Sequence, residues 1–266
     1  MNDRVAADMT SFVRRGVDAR GVVTLTLDRP QSFNALSEGM LAALQAELDG
    51  LATDETARVV VIAATGKAFC AGHDLKEMRA KPSQAYYEAL FAQCARLMLT
   101  IQRLPLPVIA RVQGIATAAG CQLVAACDLA IAVDSARFAV SGVNLGLFCS
   151  SPSVPLVRNV ARKPAFEMLV TGEFISAEEA RARGLVNRVA SMEALDGAVE
   201  SLVASIVAKP RAAIALGKAL FYRQIERGSE AAYEDAARTM ARNMMEPDTL
   251  EGVQAFIDKR KPDWPS

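Results

Sequence analysis

His73 is the only imidazole among 266 residues, and it stands in the stretch Ala71-Gly72-His73-Asp74. Any serine nucleophile relying on an imidazole base must use this ring, and a His/Cys zinc cluster is disfavoured, so no metal is expected. The five cysteines, Cys70, Cys94, Cys121, Cys127 and Cys149, show no CxxC spacing. Three lie among apolar or small residues, where a free thiol behaves as a small hydrophobe. Their odd number argues for a reducing compartment rather than a disulfide framework. The backbone itself offers a second kind of chemistry. Within residues 109–128, IARVQGIATAAGCQLVAACD, the run from Gly114 to Gly120 presents main chain with almost no side chain. Such a turn suits close approach to N–H groups, and a helix starting there adds its positive end. Tight packing alone produces the same pattern.

The elements that must hold these residues alternate along the first two thirds of the chain. Residues 21–28 and the continuous β-branched run 58–64 read as strands, followed by 109–112, 129–133 and a short 136–140. Between them, Ser37 caps a helix to about residue 49, with Leu41, Leu44 and Leu48 inward. Asp74 is placed to cap a helix from Leu75, and a long helix covers 83–104 before Pro105 and Pro107. Residues 141–155 read as loop running into a helix, in which Ser151 or Ser153 is a candidate cap. Helical segments then follow at 163–169, 176–183, 192–208, 211–224, 229–244 and 248–258. The class is therefore α/β with a helical C-terminal appendage.

Thirty basic and thirty acidic residues cancel, and aromatics make up 6%, so nucleic acid is not an expected partner. Residues 108–133 are apolar enough to raise a membrane span. However, Arg111, Gln113, Gln122 and Asp128 fall inside that window, which points to a buried core instead. Residues 1–15 carry Asp3 and Asp8 among arginines and lack a long apolar run. They read as neither signal nor transit peptide, and the cytoplasm is the expected location.

Five segments in order resemble the crotonase (enoyl-CoA hydratase/isomerase) superfamily: LDRPQSFNAL at 27–36, KAFCAGHDLKEM at 67–78, GIATAAGCQLVAACD at 114–128, FISAEEARARGLVNRV at 174–189 and FIDKRKP at 256–262. The resemblance implies a spiral of strand–strand–helix repeats over residues 1–200 and a helical oligomerisation region at 201–266, assembled as a homotrimer or hexamer. It also implies an acyl-CoA thioester as ligand, with no other cofactor, in fatty acid metabolism. In the family, two backbone N–H groups polarise the thioester carbonyl; here they would be those of His73 and Ala119. Preorganised donors of this kind are worth about 3–4 kcal/mol each. Alanine suits position 119 only if its φ is not positive. For His73 itself, the resemblance favours a role for the backbone over one for the ring.

The resemblance also exposes a departure. The family's hydratases activate water with two glutamates, and the matching positions here are Gln122 and Gly142. An amide cannot accept a proton at neutral pH, and glycine offers no side chain. Hydration through these positions is not expected. Ala71, Ser141, Asn144 and Ser150 remain as candidate acyl contacts, the polar ones suiting a polar acyl substituent. Phe256 and Lys259 match residues that meet the CoA adenine and a phosphate, and Arg29 is a further phosphate candidate. The alternatives to an enzyme with an unassigned proton-transfer group are a non-catalytic acyl-CoA-binding or scaffolding subunit, or a thioester hydrolase using His73 or a serine. The wording GVNLGLFCSSPSV resembles the mitochondrial enoyl-CoA hydratase domain-containing branch more than the hydratases.

Overall fold

The computed structural model describes residues 12–264. The reading of residues 1–15 as free of a targeting signal thus falls almost wholly outside the described residues.

The described chain opens with the hairpin β1 (Val13–Val17) and β2 (Val22–Leu27), paired antiparallel across Gly21, whose φ is +78°. Ser37 caps α1 (Glu38–Leu51), its hydroxyl accepting the Met40 N–H at 3.1 Å. Leu41, Leu44 and Leu48 are buried, as their spacing predicts. Next come β3 (Val59–Ala64), buried throughout, and β4 (Ala68–Cys70), then α2 (Leu75–Ala80) and α3 (Gln84–Arg103). The Asp74 carboxylate caps α2 by accepting the Lys76 and Glu77 amides.

The central stretch runs β5 (Val108–Val112), β6 (Ile115–Thr117), α4 (Ala119–Ala126), β7 (Leu129–Val133) and β8 (Arg137–Ala139). After a 3-10 turn, Ser141–Leu145, follow α5 (Ser150–Asn159), α6 (Arg162–Thr171), β9 (Ile175–Ser176), α7 (Ala177–Ala182), β10 (Arg188–Ala190) and α8 (Leu195–Val207). The described chain then finishes in helices α9 (Arg211–Gln224), α10 (Ser229–Asn243) and α11 (Pro247–Ile257).

Two sheets result among the described residues. One has the order β1-β2-β3-β5-β7-β10, parallel from β2 onward; the other has the order β4-β6-β8-β9. In the second sheet β4, β6 and β8 are parallel, and β9 pairs antiparallel to β8. Burial on both faces explains why β3 and β7 read as unbroken apolar runs. The apolar stretch 108–133 is divided among three strands and α4, and no helix of the described residues is long and apolar enough to cross a membrane.

The structure corrects several sequence expectations. The strands β4, β6 and β9 are three residues or fewer, too short to show a period of two, and β6 lies inside what reads as a turn. Helix α5 begins at Ser150, within the expected loop; Pro152 is accommodated because the first helical turn needs no N–H donor there. Its N-cap is Cys149, without a side-chain bond, so neither Ser151 nor Ser153 caps it. The expected division between residues 200 and 201 falls inside α8, whose Leu195, Val199 and Val203 are all buried in the core.

Helix α9 is fastened to that core by a buried polar clasp. Lys218 Nζ donates to Asp128 at 2.6 Å and to the Ile101 and Leu106 carbonyls at 2.8 Å each. Tyr222 donates to the other Asp128 oxygen at 2.7 Å. Burial pulls the Lys218 pKa below its ordinary value, and the adjacent carboxylate opposes that.

Candidate functional site

The parallel strands β4, β6 and β8 each deliver a short segment at their C-terminal ends: Ala71 to His73 after β4, Ala118 and Ala119 after β6, and Ser141 and Gly142 after β8. Residues from all three segments line one cavity of about 360 Å³. Ligands of parallel sheets gather at this end because the strands' outgoing turns converge there. The cavity also has an apolar lining from Leu75 and Met78 of α2, Phe91 of α3, and Leu145, Leu147 and Phe148 before α5.

Two of the segments are pressed together. A Cβ on Gly72, whose φ is +92°, would lie 2.9 Å from the Ala118 Cβ and 3.2 Å from the Ala119 nitrogen. Only glycine permits both the conformation and the approach. Ala118 sits at φ +50°, ψ −121°, strained for a residue with a side chain, and its N–H donates to the Ala139 carbonyl at 3.0 Å. Ala119 escapes the strain, for it is the first residue of α4 and has no positive φ. Among the hydrogen bonds of the described residues, neither the His73 nor the Ala119 amide donates to a protein acceptor. Both residues face the cavity. Two donors without protein acceptors thus border one cavity, one of them at the N-terminus of a fully buried helix.

The His73 ring is anchored at one nitrogen. Nδ1 lies 3.2 Å from the Leu36 carbonyl, which can only accept, so Nδ1 carries the proton. The ring meets Phe91 edge-on, with centroids 5.5 Å apart. Burial holds its pKa below the ordinary 6.5.

The structure separates the remaining candidates. Gly142 lines the cavity, but Gln122 is 3% exposed, is not among the lining residues, and accepts from Cys94 Sγ at 3.9 Å. Its side chain is therefore packed largely into the core. Ala71, Ser141 and Ser150 line the cavity, whereas Asn144 turns away and donates to the Gly172 carbonyl at 3.3 Å. Arg29 lies outside the cavity, its guanidinium stacked over Phe12 at 4.8 Å. Phe256 is 85% exposed at the end of α11, and neither it nor Lys259 lines the cavity. Sequence reasoning missed Leu75, Met78, Phe91, Leu145, Leu147, Phe148 and Cys149, whose apolar character reads as ordinary core. Cys149 is 6% exposed, lines the cavity, and has its thiol pKa pushed up by burial.

With the geometry in place, comparison with known proteins is informative. Residues 18–266 match the sequence profile of the enoyl-CoA hydratase/isomerase family. The chain is 46% identical to the mitochondrial enoyl-CoA hydratase domain-containing protein 3 of Xenopus laevis, over 92% of this chain and 83% of that protein. The human counterpart is 43% identical over 92% of this chain and 80% of its own length. Among solved structures, an enoyl-CoA hydratase of Mycobacterium smegmatis is 67% identical with a TM-score of 0.95, covering 96% of this chain and 99% of that one. The crystal structure of the human domain-containing protein 3 superposes with a TM-score of 0.92 at 42% identity, over 95% and 100% of the two chains. The cytoplasmic location expected from the N-terminal residues does not stand, because the frog and human relatives are designated mitochondrial. The profile match and these relatives place the chain in the enoyl-CoA hydratase/isomerase family of the crotonase superfamily.

Proposed function

We propose that this protein binds acyl-CoA thioesters, holding the carbonyl oxygen between the His73 and Ala119 amides, without hydrating the acyl chain through positions 122 and 142. The observation that carries the reading is the pair of unpartnered amides facing one largely apolar cavity from neighbouring parallel strands. A carbonyl oxygen placed there gains negative charge at little reorganisation cost, since the donors are already fixed. Proton transfer is another matter. Gln122 is an amide and Gly142 has no side chain, so neither position supplies a group that can accept a proton. The ligand is the CoA thioester itself, with no further cofactor in this reading.

The reading extends to assembly. Helices α9, α10 and α11 contribute few buried residues and leave Phe221, Ile225, Met240 and Phe256 more than half exposed. These faces fit a homotrimer or hexamer, in which Phe256 and Lys259 would serve a neighbouring subunit's CoA.

Calorimetric titration with octanoyl-CoA and free CoA tests the proposal, followed by hydration, isomerisation and hydrolysis assays on thioesters that bind. Tighter binding of the thioester than of free CoA, with no hydration, is the expected result. Failure of every acyl-CoA to bind would overturn it, and hydration at rates typical of an enzyme would overturn the assignment of positions 122 and 142.

A further inference from the structure

We propose that the segment from Gly142 to Cys149 is a specificity filter, admitting thioesters with an unsubstituted apolar chain and rejecting those with a hydroxyl close to the carbonyl. The inference rests on the acyl-CoA reading above and narrows it to one class of acyl group.

The segment is cinched upon itself. The Leu147 N–H donates to the Gly142 carbonyl at 3.0 Å, and the Gly142 N–H donates to Cys149 Sγ at 3.3 Å. A Cβ at position 142 would stand 2.8 Å from that sulfur and would run into the Leu147 carbonyl. The space through which a side chain of residue 142 would enter is therefore filled by the Cys149 thiol. Sulfur is polarizable and forms weak hydrogen bonds, so it suits contact with methylene groups better than with a hydroxyl. Its role as acceptor is already taken by the Gly142 amide.

Several neighbouring polar groups have bonds within the protein. Ser141 Oγ shares a hydrogen bond with Thr117 Oγ1 at 2.8 Å, Ser150 Oγ donates to the Phe148 carbonyl, and Asn144 is tied to Gly172. Ser151, at the start of α5, is half-buried and keeps access to water. The same cavity is lined by Leu75, Met78 and Phe91. An apolar chain leaving the amide pair meets matching surface there. A hydroxyl on its first carbons would exchange water for sulfur and hydrocarbon where it meets Cys149, Leu147, Met78 and Phe91, a mismatch worth about tenfold or more in affinity.

The test is calorimetric titration with octanoyl-CoA, 3-hydroxyoctanoyl-CoA and free CoA. Octanoyl-CoA is expected to bind about tenfold or more tightly than its 3-hydroxy counterpart. Cys149→Ser, which puts a hydroxyl where the sulfur stands, is expected to narrow that gap. Equal wild-type affinities for the two thioesters would overturn the filter while leaving the acyl-CoA reading intact. A gap untouched by Cys149→Ser would overturn the role of the sulfur. If neither thioester binds more tightly than free CoA, both readings fall together. The wild-type comparison needs no variant, so poor folding of Cys149→Ser would not shield the proposal.

Discussion

Gly120 is packed against the main chain of Cys70: a Cβ at position 120 would come within 2.7 Å of the Cys70 carbonyl carbon and 2.9 Å of its Cβ. This contact sets the start of α4 directly on the end of β4, and it fixes the relation between the His73 and Ala119 amides. Gly120→Ala must push the two turns apart. Overpacking of this kind costs about 1–3 kcal/mol, and the His73 and Ala119 amides would shift relative to each other. Denaturant melts should show the destabilisation, and calorimetry should show weakened octanoyl-CoA binding. A variant with unchanged stability and affinity would mean that the turns are looser than their contacts indicate.

Installing glutamates at positions 122 and 142 together is expected to yield a destabilised protein without hydratase activity. Gln122→Glu alone places a carboxylate beside Cys94 in a site 3% exposed, where ionisation is resisted by burial. Gly142→Glu has no room for its first carbon. A standard enoyl-CoA hydration assay, run beside thermal melts of each variant, decides the point.

Removing the cation from the clasp on α9 should be among the costliest single changes. Lys218→Met leaves Asp128 buried without its partner, at a cost of about 3–5 kcal/mol. Burial already raises the Asp128 pKa. Without the lysine the carboxyl should take up a proton more readily still, so the deficit relative to wild type should shrink as pH falls. Denaturant titrations at several pH values would show whether it does.

Stability should also fall on mild acidification through His73. Its folded-state pKa is held below 6.5 by burial, so between the two values the unfolded chain binds the extra proton. The contribution is complete above about pH 6.5 and is lost as pH drops toward the folded-state value. His73→Gln, which lacks a titrating ring, should flatten this limb in a plot of unfolding free energy against pH.

Much of the arrangement was visible in the residues before any coordinates. Ser37, Asp74 and Ser83 mark their helix starts because a short side-chain oxygen can satisfy a free amide locally. The glycines and alanines from Gly114 to Gly120 suit a close approach to the backbone for a similarly local reason. What stayed hidden was direction. Gln122 and Asn144 are polar residues in the expected segments, yet the turn of α4 aims one at Cys94 and the 3-10 turn ties the other to Gly172. The apolar wall was equally hidden, since nothing distinguishes Phe91 or Leu147 from core until the cavity between them is seen. The cinched loop depends on contacts across five to seven residues, which no repeat in the sequence reports.

That loop bears on how the protein can change over evolutionary time. A codon for an acidic residue is close to one for glycine, so gaining an acid at position 142 would look like a short mutational walk. With Leu147 and Cys149 already crowded against it, the first step leads to a misfit, and the flanking positions must be remodelled before an acid there confers any advantage. The thiol and the glycine therefore act as a ratchet, each making the other hard to replace alone.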